Sequence, residues 1–222
     1  MLLPLHDSQR SATTPIVTGA LIALNVFVFL FQRSLDPFSA NDFVYAFGFI
    51  PERFTLLSIV TSLFLHSGWI HLISNMVFLW IFGDNIEDVL GHGKYLLFYL
   101  LCGVAAAMAQ YLVNPESRVP QIGASGAIFG VMGAYLVKFP HSRILTVGWF
   151  LILFSFELPA WVLLLYFIGL QFLSGVGSIA DVLRQRGGVA YFAHIGGFCA
   201  GVLLILLMRT RDRFVLRRDV SW

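Results

Sequence analysis

Charged residues are scarce in this chain. Asp, Glu, Lys and Arg make up 12% of its 222 residues, about half the share of an ordinary soluble domain. With 58% apolar residues and a mean hydropathy of +0.82, the composition excludes a soluble globule and points to a bilayer. Cysteine is nearly absent too. Cys102 and Cys199 both fall inside apolar runs, so they are expected to be buried thiols rather than a disulfide. Residues 1–15 lack the n-region, short apolar core and small-residue cleavage site of a removable signal peptide, and they are not an Arg-rich amphipathic presequence. The first span is therefore expected to stay as an anchor. No repeat or low-complexity tract is present, and nothing suggests nucleic-acid binding. The arginines near the end are expected to meet anionic lipid headgroups instead.

A membrane-crossing helix needs about 20 mainly apolar residues. Runs near that length occur at 16–32, 69–83, 94–113, 121–137, 157–174 and 189–208, which predicts six spans. The stretch 144–156 is also apolar, but Glu157 and Pro159 separate it from the fifth span, so an interfacial or re-entrant segment is expected there. Lys and Arg accumulate on the cytoplasmic side. Taking the end of the chain as that side puts nine of the 14 Lys and Arg residues inside, with both termini cytoplasmic. The expected organisation is one membrane domain over 1–222, with a short N-terminal segment 1–15 and a basic tail 209–222.

Residues 33–68 form a long first loop that mixes turn formers with Phe, Tyr, Leu and Ile. That composition suits a piece lying partly in the membrane interface. Irregular backbone at such depth must be covered by protein or water. So long a loop in so small a protein is expected to serve function rather than connection.

Polar groups inside spans are costly and point to function. The second span begins HSGWIHLISNMVFLWIFG and carries His66, His71 and Asn75; the fourth carries Ser125; the sixth carries His194. In an up-and-down bundle these three spans start on the same, outer side. At 1.5 Å per residue, Asn75, Ser125 and His194 lie on the order of 6 to 9 Å inside their starts. His71 and Asn75 are four apart and share a helix face. Gly126 with Gly130, and Gly197 with Gly201, have the four-residue spacing that lets membrane helices approach closely. If those faces meet, Ser125 and His194 come within hydrogen-bond reach.

A serine hydroxyl is a weak nucleophile that needs an adjacent base, and the developing oxyanion needs donors. His194 would be the base. The helix start at Ser125 offers free backbone N–H groups, and Asn75 and His71 could add side-chain donors. No carboxylate accompanies the histidine, and Glu157 is expected at the cytoplasmic end of the fifth span. Serine chemistry here would run on a dyad, with the histidine held by packing.

At these residues the chain resembles the rhomboid intramembrane serine proteases of the bacterial six-span type. The resemblance rests on HSGWIHLISNMVFLWIFGDNIED at 66–88, IGASGAIFGVMGAY at 122–135 and AHIGGFCAG at 193–201. It implies an all-α polytopic six-helix bundle with a long, partly embedded first loop. It further implies Ser125 as nucleophile, His194 as general base, and His71 and Asn75 as oxyanion donors. Phe129 falls where the family commonly packs an aromatic ring on the catalytic histidine. No cofactor is implied. The implied partners are membrane lipids and membrane-protein substrates, cut near the outer face of a bacterial plasma membrane. Substrates would enter laterally between the second and fifth spans, lined here by Phe78, Trp161 and Phe167. The first loop departs from the family pattern: GFIPERF stands in a region comparable to the Trp-Arg pair of many members.

Other chemistries fit less well. A zinc protease using His66, His71 and His194 lacks an H-E-x-x-H and a carboxylate base. An aspartyl intramembrane protease needs two in-span aspartates, and Asp84 stands alone at a span end. G-A-S-G-A at 123–127 is not the G-x-S-x-G elbow. The remaining alternative is a rhomboid-like protein that binds membrane clients without cutting them. Chelators such as EDTA are expected to leave activity unchanged in a proteolysis assay; inhibition that added zinc reverses would restore the metal reading.

Overall fold

The computed structural model describes residues 2–149, 153–183, 190–211 and 215–216. Most of the basic tail 209–222, together with Arg184 and Arg186, lies outside the described residues. Strands β1 (Leu2–Asp7) and β2 (Gln9–Arg10) precede helix α1 (Ile16–Ser34). Helix α2 (Pro37–Phe47), a 3₁₀ turn at Pro51–Arg53 and helix α3 (Leu56–Ser62) occupy the first loop. The long helices α4 (Trp69–Leu90) and α5 (His92–Val113) lead to α6 (Ser125–Lys138). Strands β3 (Arg143–Trp149) and β4 (Leu153–Pro159) come before α7 (Ala160–Leu183), and β5 (Val215–Leu216) follows α8 (Tyr191–Leu207).

The six expected spans correspond to α1, α4, α5, α6, α7 and α8, which make a polytopic helical membrane fold. Helices α1, α5 and the Ala160–Gly177 part of α7 are long and apolar enough to cross a membrane by themselves. Helix α4 is as long as α5, with Asp84, Glu87 and Asp88 in its last turns. The carboxylate of Glu87 closes the start of α1, accepting from Val17 N at 2.8 Å, Thr18 N at 2.8 Å and Thr18 Oγ1 at 2.7 Å. A carboxylate there meets N–H groups that have no partner within the helix and the positive end of its dipole.

Helix α6 has only 14 residues. It rises about 21 Å, against a hydrocarbon core of about 30 Å. A helix this short leaves ~9 Å of such a core unspanned. The expected fourth span starts at 121, but helix begins only at Ser125, and residues 120–124 descend as irregular chain. The first loop covers that chain. Phe49 N donates to Gln121 O at 3.0 Å, Gln121 N returns the bond to Phe49 O at 2.8 Å, and Gly123 N donates to Ser62 O at 2.9 Å. Non-helical backbone at this depth is stable only when protein satisfies it in this way. Helices α2 and α3 meanwhile turn Phe38, Tyr45, Phe47, Leu56 and Leu57 outward, as an interfacial piece should.

Three local expectations change. Where an interfacial or re-entrant segment is expected at 144–156, the described residues form strands: β3 and β4 pair antiparallel, and β1 adds to make the order β1-β3-β4. Both strands are rich in β-branched, aromatic and leucine residues, which favour a pleated ladder. The fifth helix consequently starts at Ala160, and Glu157 sits in β4 facing Arg143 at 3.4 Å. Cys102 is buried but Cys199 is exposed. The inward face of α8 is set by Gly197 and Gly201, and a residue two positions from each points away from that face.

Helices α6 and α8 approach closely enough to touch through backbone. A Cβ on Gly197 would fall on the carbonyl of Gly126, and one on Gly201 on the carbonyl of Gly130. Gly201→Val is expected to push the helices apart and cost on the order of 3 kcal/mol. Gly169→Val serves as control, because a Cβ there meets nothing within 4 Å. Thermal unfolding in detergent should show a large fall for the first variant and little for the second; equal melting temperatures would contradict the contact.

Candidate active site

Ser125 is the first residue of α6, and His194 lies in the first turn of α8. The glycine contact holds these two starts side by side, and Ser125 Oγ lies 2.7 Å from His194 Nε2. Phe129, one turn after the serine, stacks on the histidine with ring centroids 4.5 Å apart and planes 9° apart. The imidazole is thus held on one face by the phenyl ring, with only 8% of the residue exposed.

Its other nitrogen has a partner that sequence reasoning missed. His194 Nδ1 lies 2.8 Å from Gln171 Oε1, contributed by α7. The signal was present: Gln171 is a polar residue in the middle of the fifth apolar run, the same kind of anomaly that drew attention to Asn75 and Ser125. The expectation that packing alone holds the histidine is corrected by this bond.

Gly123 shapes the other wall. It has φ +121, a conformation that suits glycine and strains other residues. A Cβ there would lie 2.7 Å from His71 Nε2 and 3.8 Å from Asn75 Nδ2. The chain before Ser125 thus passes directly under both α4 side chains. His71 is oriented by Ser67, whose Oγ is 3.0 Å from His71 Nδ1. Asn75 is 6% exposed, and its Nδ2 is buried with no hydrogen-bond partner among the described residues. A buried amide with unspent donors is uncommon, since such groups are nearly always paired. His66 is fully buried behind this group, its ring edge-on to His71 at 5.0 Å. The three histidines do not converge as ligands: both ring nitrogens of His194 are already engaged, by Ser125 and Gln171.

Of the expected entrance residues, Phe78 on α4 and Phe167 on α7 meet edge to face at 5.2 Å. Trp161 does not join them; it lies at the start of α7, where its backbone N–H donates to Pro140 O at 3.0 Å, and the residue is exposed.

A family model described as "Rhomboid domain" matches residues 53–211. Among relatives, "Rhomboid protein 1, mitochondrial" of Saccharomyces cerevisiae is 34% identical over 154 residues, 66% of this chain and 40% of the yeast protein. "Rhomboid-like protein 11, chloroplastic" of Arabidopsis thaliana is 34% identical over 163 residues, 73% of this chain and 56% of the plant protein. "Rhomboid protease GluP" of Bacillus subtilis is 30% identical over 196 residues, 86% of this chain and 35% of that protein. The chain thus spans between 35% and 56% of the length of these relatives. Two of the three carry organellar names, so the likeness supports an integral membrane protein and gives no support to the bacterial plasma membrane in particular. With a family domain covering most of the sequence and its glycine, serine and histidine motifs inside the matched region, the chain belongs to the rhomboid family.

Proposed function

We propose that this chain is an intramembrane serine endopeptidase that cleaves transmembrane segments of other membrane proteins near the outer face of the bilayer. The observation that carries the reading is the 2.7 Å contact between Ser125 Oγ and His194 Nε2, held below the membrane surface at the start of a short helix. In this reading His194 Nε2 takes the Ser125 proton as Oγ bonds to the scissile carbonyl carbon. The carbonyl oxygen gains the negative charge, and the Ser125 backbone N–H, the Asn75 amide and the His71 ring donate to it. His194 then returns the proton to the departing amine as the C–N bond breaks, leaving an acyl-enzyme. Water, deprotonated by the same nitrogen, releases the second product and restores the serine.

The unspent Nδ2 of Asn75 supports its part. Donors that lack a ground-state partner gain most when charge appears, which is how differential stabilisation works. Phe129 supplies the stacking surface that keeps the imidazole facing the serine. Substrate segments enter from lipid between α4 and α7, where the Phe78–Phe167 contact closes the seam. The whole chain works as one membrane domain, with 1–15 and the basic tail 209–222 at its cytoplasmic end. The Lys and Arg bias supports that orientation and does not choose the membrane.

Two experiments test this. Detergent-solubilised protein should react with a fluorophosphonate probe and cleave a model transmembrane substrate, whereas Ser125→Ala and His194→Ala should do neither while melting normally. Cleavage by Ser125→Ala would end the serine mechanism; binding of a membrane client without cleavage by wild type would favour the non-enzymatic alternative. Asn75→Ala should lower kcat by roughly 10²–10³-fold. An unchanged kcat would leave the oxyanion to His71 and the backbone.

A further inference from the structure

Gln171 stands where a soluble serine hydrolase has its carboxylate. It is the residue that meets the outer nitrogen of the imidazole, at 2.8 Å through its carbonyl oxygen Oε1. With Oε1 turned to the ring the amide accepts, and His194 Nδ1 carries the proton in this bond. In the neutral ring the lone pair then sits on Nε2, the nitrogen 2.7 Å from Ser125 Oγ. The serine hydroxyl therefore donates to the ring, which is the arrangement a general base needs. With the proton on Nε2 instead, the ring would be a donor toward the serine and could not accept its proton.

The choice of an amide has a physical reason. A carboxylate at this depth would have to be desolvated beside an imidazole that is neutral for most of the cycle, and ionised groups within a bilayer are costly. A glutamine supplies the acceptor without the charge. Phe129 fixes the plane of the ring, but stacking is indifferent to which nitrogen holds the proton. Only a hydrogen-bonding group at the ring edge selects the tautomer. Gln171 also lies one turn beyond Phe167, on the same face of α7, so the helix that meets Phe78 at 5.2 Å also carries the acceptor.

We propose that Gln171 is a positioning residue that holds His194 in the Nδ1–H tautomer, completing a Ser125–His194–Gln171 relay in place of an acid-containing triad. The proposal rests on the serine-protease reading, but its test does not depend on activity alone.

Gln171→Met keeps the length and volume of the side chain and removes the acceptor. Its kcat should fall by roughly 10²-fold, with KM little changed; this is less than the ~10⁴-fold loss that accompanies a histidine locked in the wrong tautomer, because Met leaves the tautomer unselected. Gln171→Glu, uncharged at this depth in its protonated form, retains a carbonyl acceptor and should recover part of that loss. Nitrogen-15 spectra of histidine-labelled protein, with the His194 signals identified by their disappearance in His194→Ala, should show a protonated Nδ1 and an unprotonated Nε2 in wild type. In Gln171→Met that preference should be lost. A protonated Nε2 in wild type, a wild-type kcat in Gln171→Met, or equal losses in the Met and Glu variants would overturn the proposal, the last by pointing to packing alone. If wild type shows the Nδ1–H signature and loses it in Gln171→Met, yet neither cleaves substrate nor reacts with fluorophosphonate, the protease reading fails and the role of Gln171 in setting the tautomer stands.

Discussion

Backbone touching backbone between α6 and α8 is the constraint from which the rest follows. In lipid no hydrophobic force drives helices together, because the tails are as apolar as leucine. Association must come from close packing, and closeness is limited by side chains. Gly126 and Gly130 facing Gly197 and Gly201 remove that limit, to the point where a single methyl on either α8 glycine would occupy a carbonyl of α6. Each glycine within a helix costs roughly 0.5–1 kcal/mol relative to alanine. What is gained is a short, fixed distance between two helix starts, and Ser125 and His194 are the side chains that stand on them. The pocket wall of Phe129 and the 2.7 Å contact are consequences of that register.

A second constraint comes from length. Because α6, with 14 residues, is too short to cross a bilayer core alone, the chain leading to Ser125 must make up the span, and it is not helical. Irregular backbone in a membrane is a liability unless every group is met. The elements of the first loop meet it, through the Phe49–Gln121 pair and the Ser62–Gly123 bond. The loop is thus less a lid than a lining. Phe38, Tyr45, Leu56 and Leu57 face outward, Phe49 and Ile59 are buried, and its backbone meets the chain that carries Gly123 toward α4.

Much of this was legible in the sequence, and the parts that were not share a cause. Six apolar runs gave away six helices, and four-residue glycine spacing gave away which two would touch. His71 and Asn75 share a face by simple periodicity, and the geometry brings them over Gly123. The β3–β4 pair escaped because a short apolar run has no periodicity that separates strand from buried helix, and its partner β1 is more than a hundred residues away. Glu157 was assigned to a helix for the same reason. Cys199 was misread because an apolar neighbourhood in sequence does not tell which face of a helix looks into lipid. Gln171 is the instructive omission. It carried no motif, only the anomaly of an amide among leucines, and its meaning depended on which helix would stand beside α8.

The hairpin that sequence reading missed also changes what α7 is mechanically. Strand β4 runs straight into the helix at Pro159 and Ala160, and Ala160 N to Ser142 O at 2.8 Å and Trp161 N to Pro140 O at 3.0 Å clamp its foot. A rod fixed at one end is a lever. Gln171 stands 11 residues up from Ala160, an arm of ~16 Å at 1.5 Å per residue. A lean of about 10° about the foot would carry it ~3 Å, more than a hydrogen bond survives. The same lean moves Leu163 by under ~1 Å. The sheet that ends in Pro159, remote from the serine and histidine, is therefore the fixed point from which any lean of α7 would be magnified at the histidine.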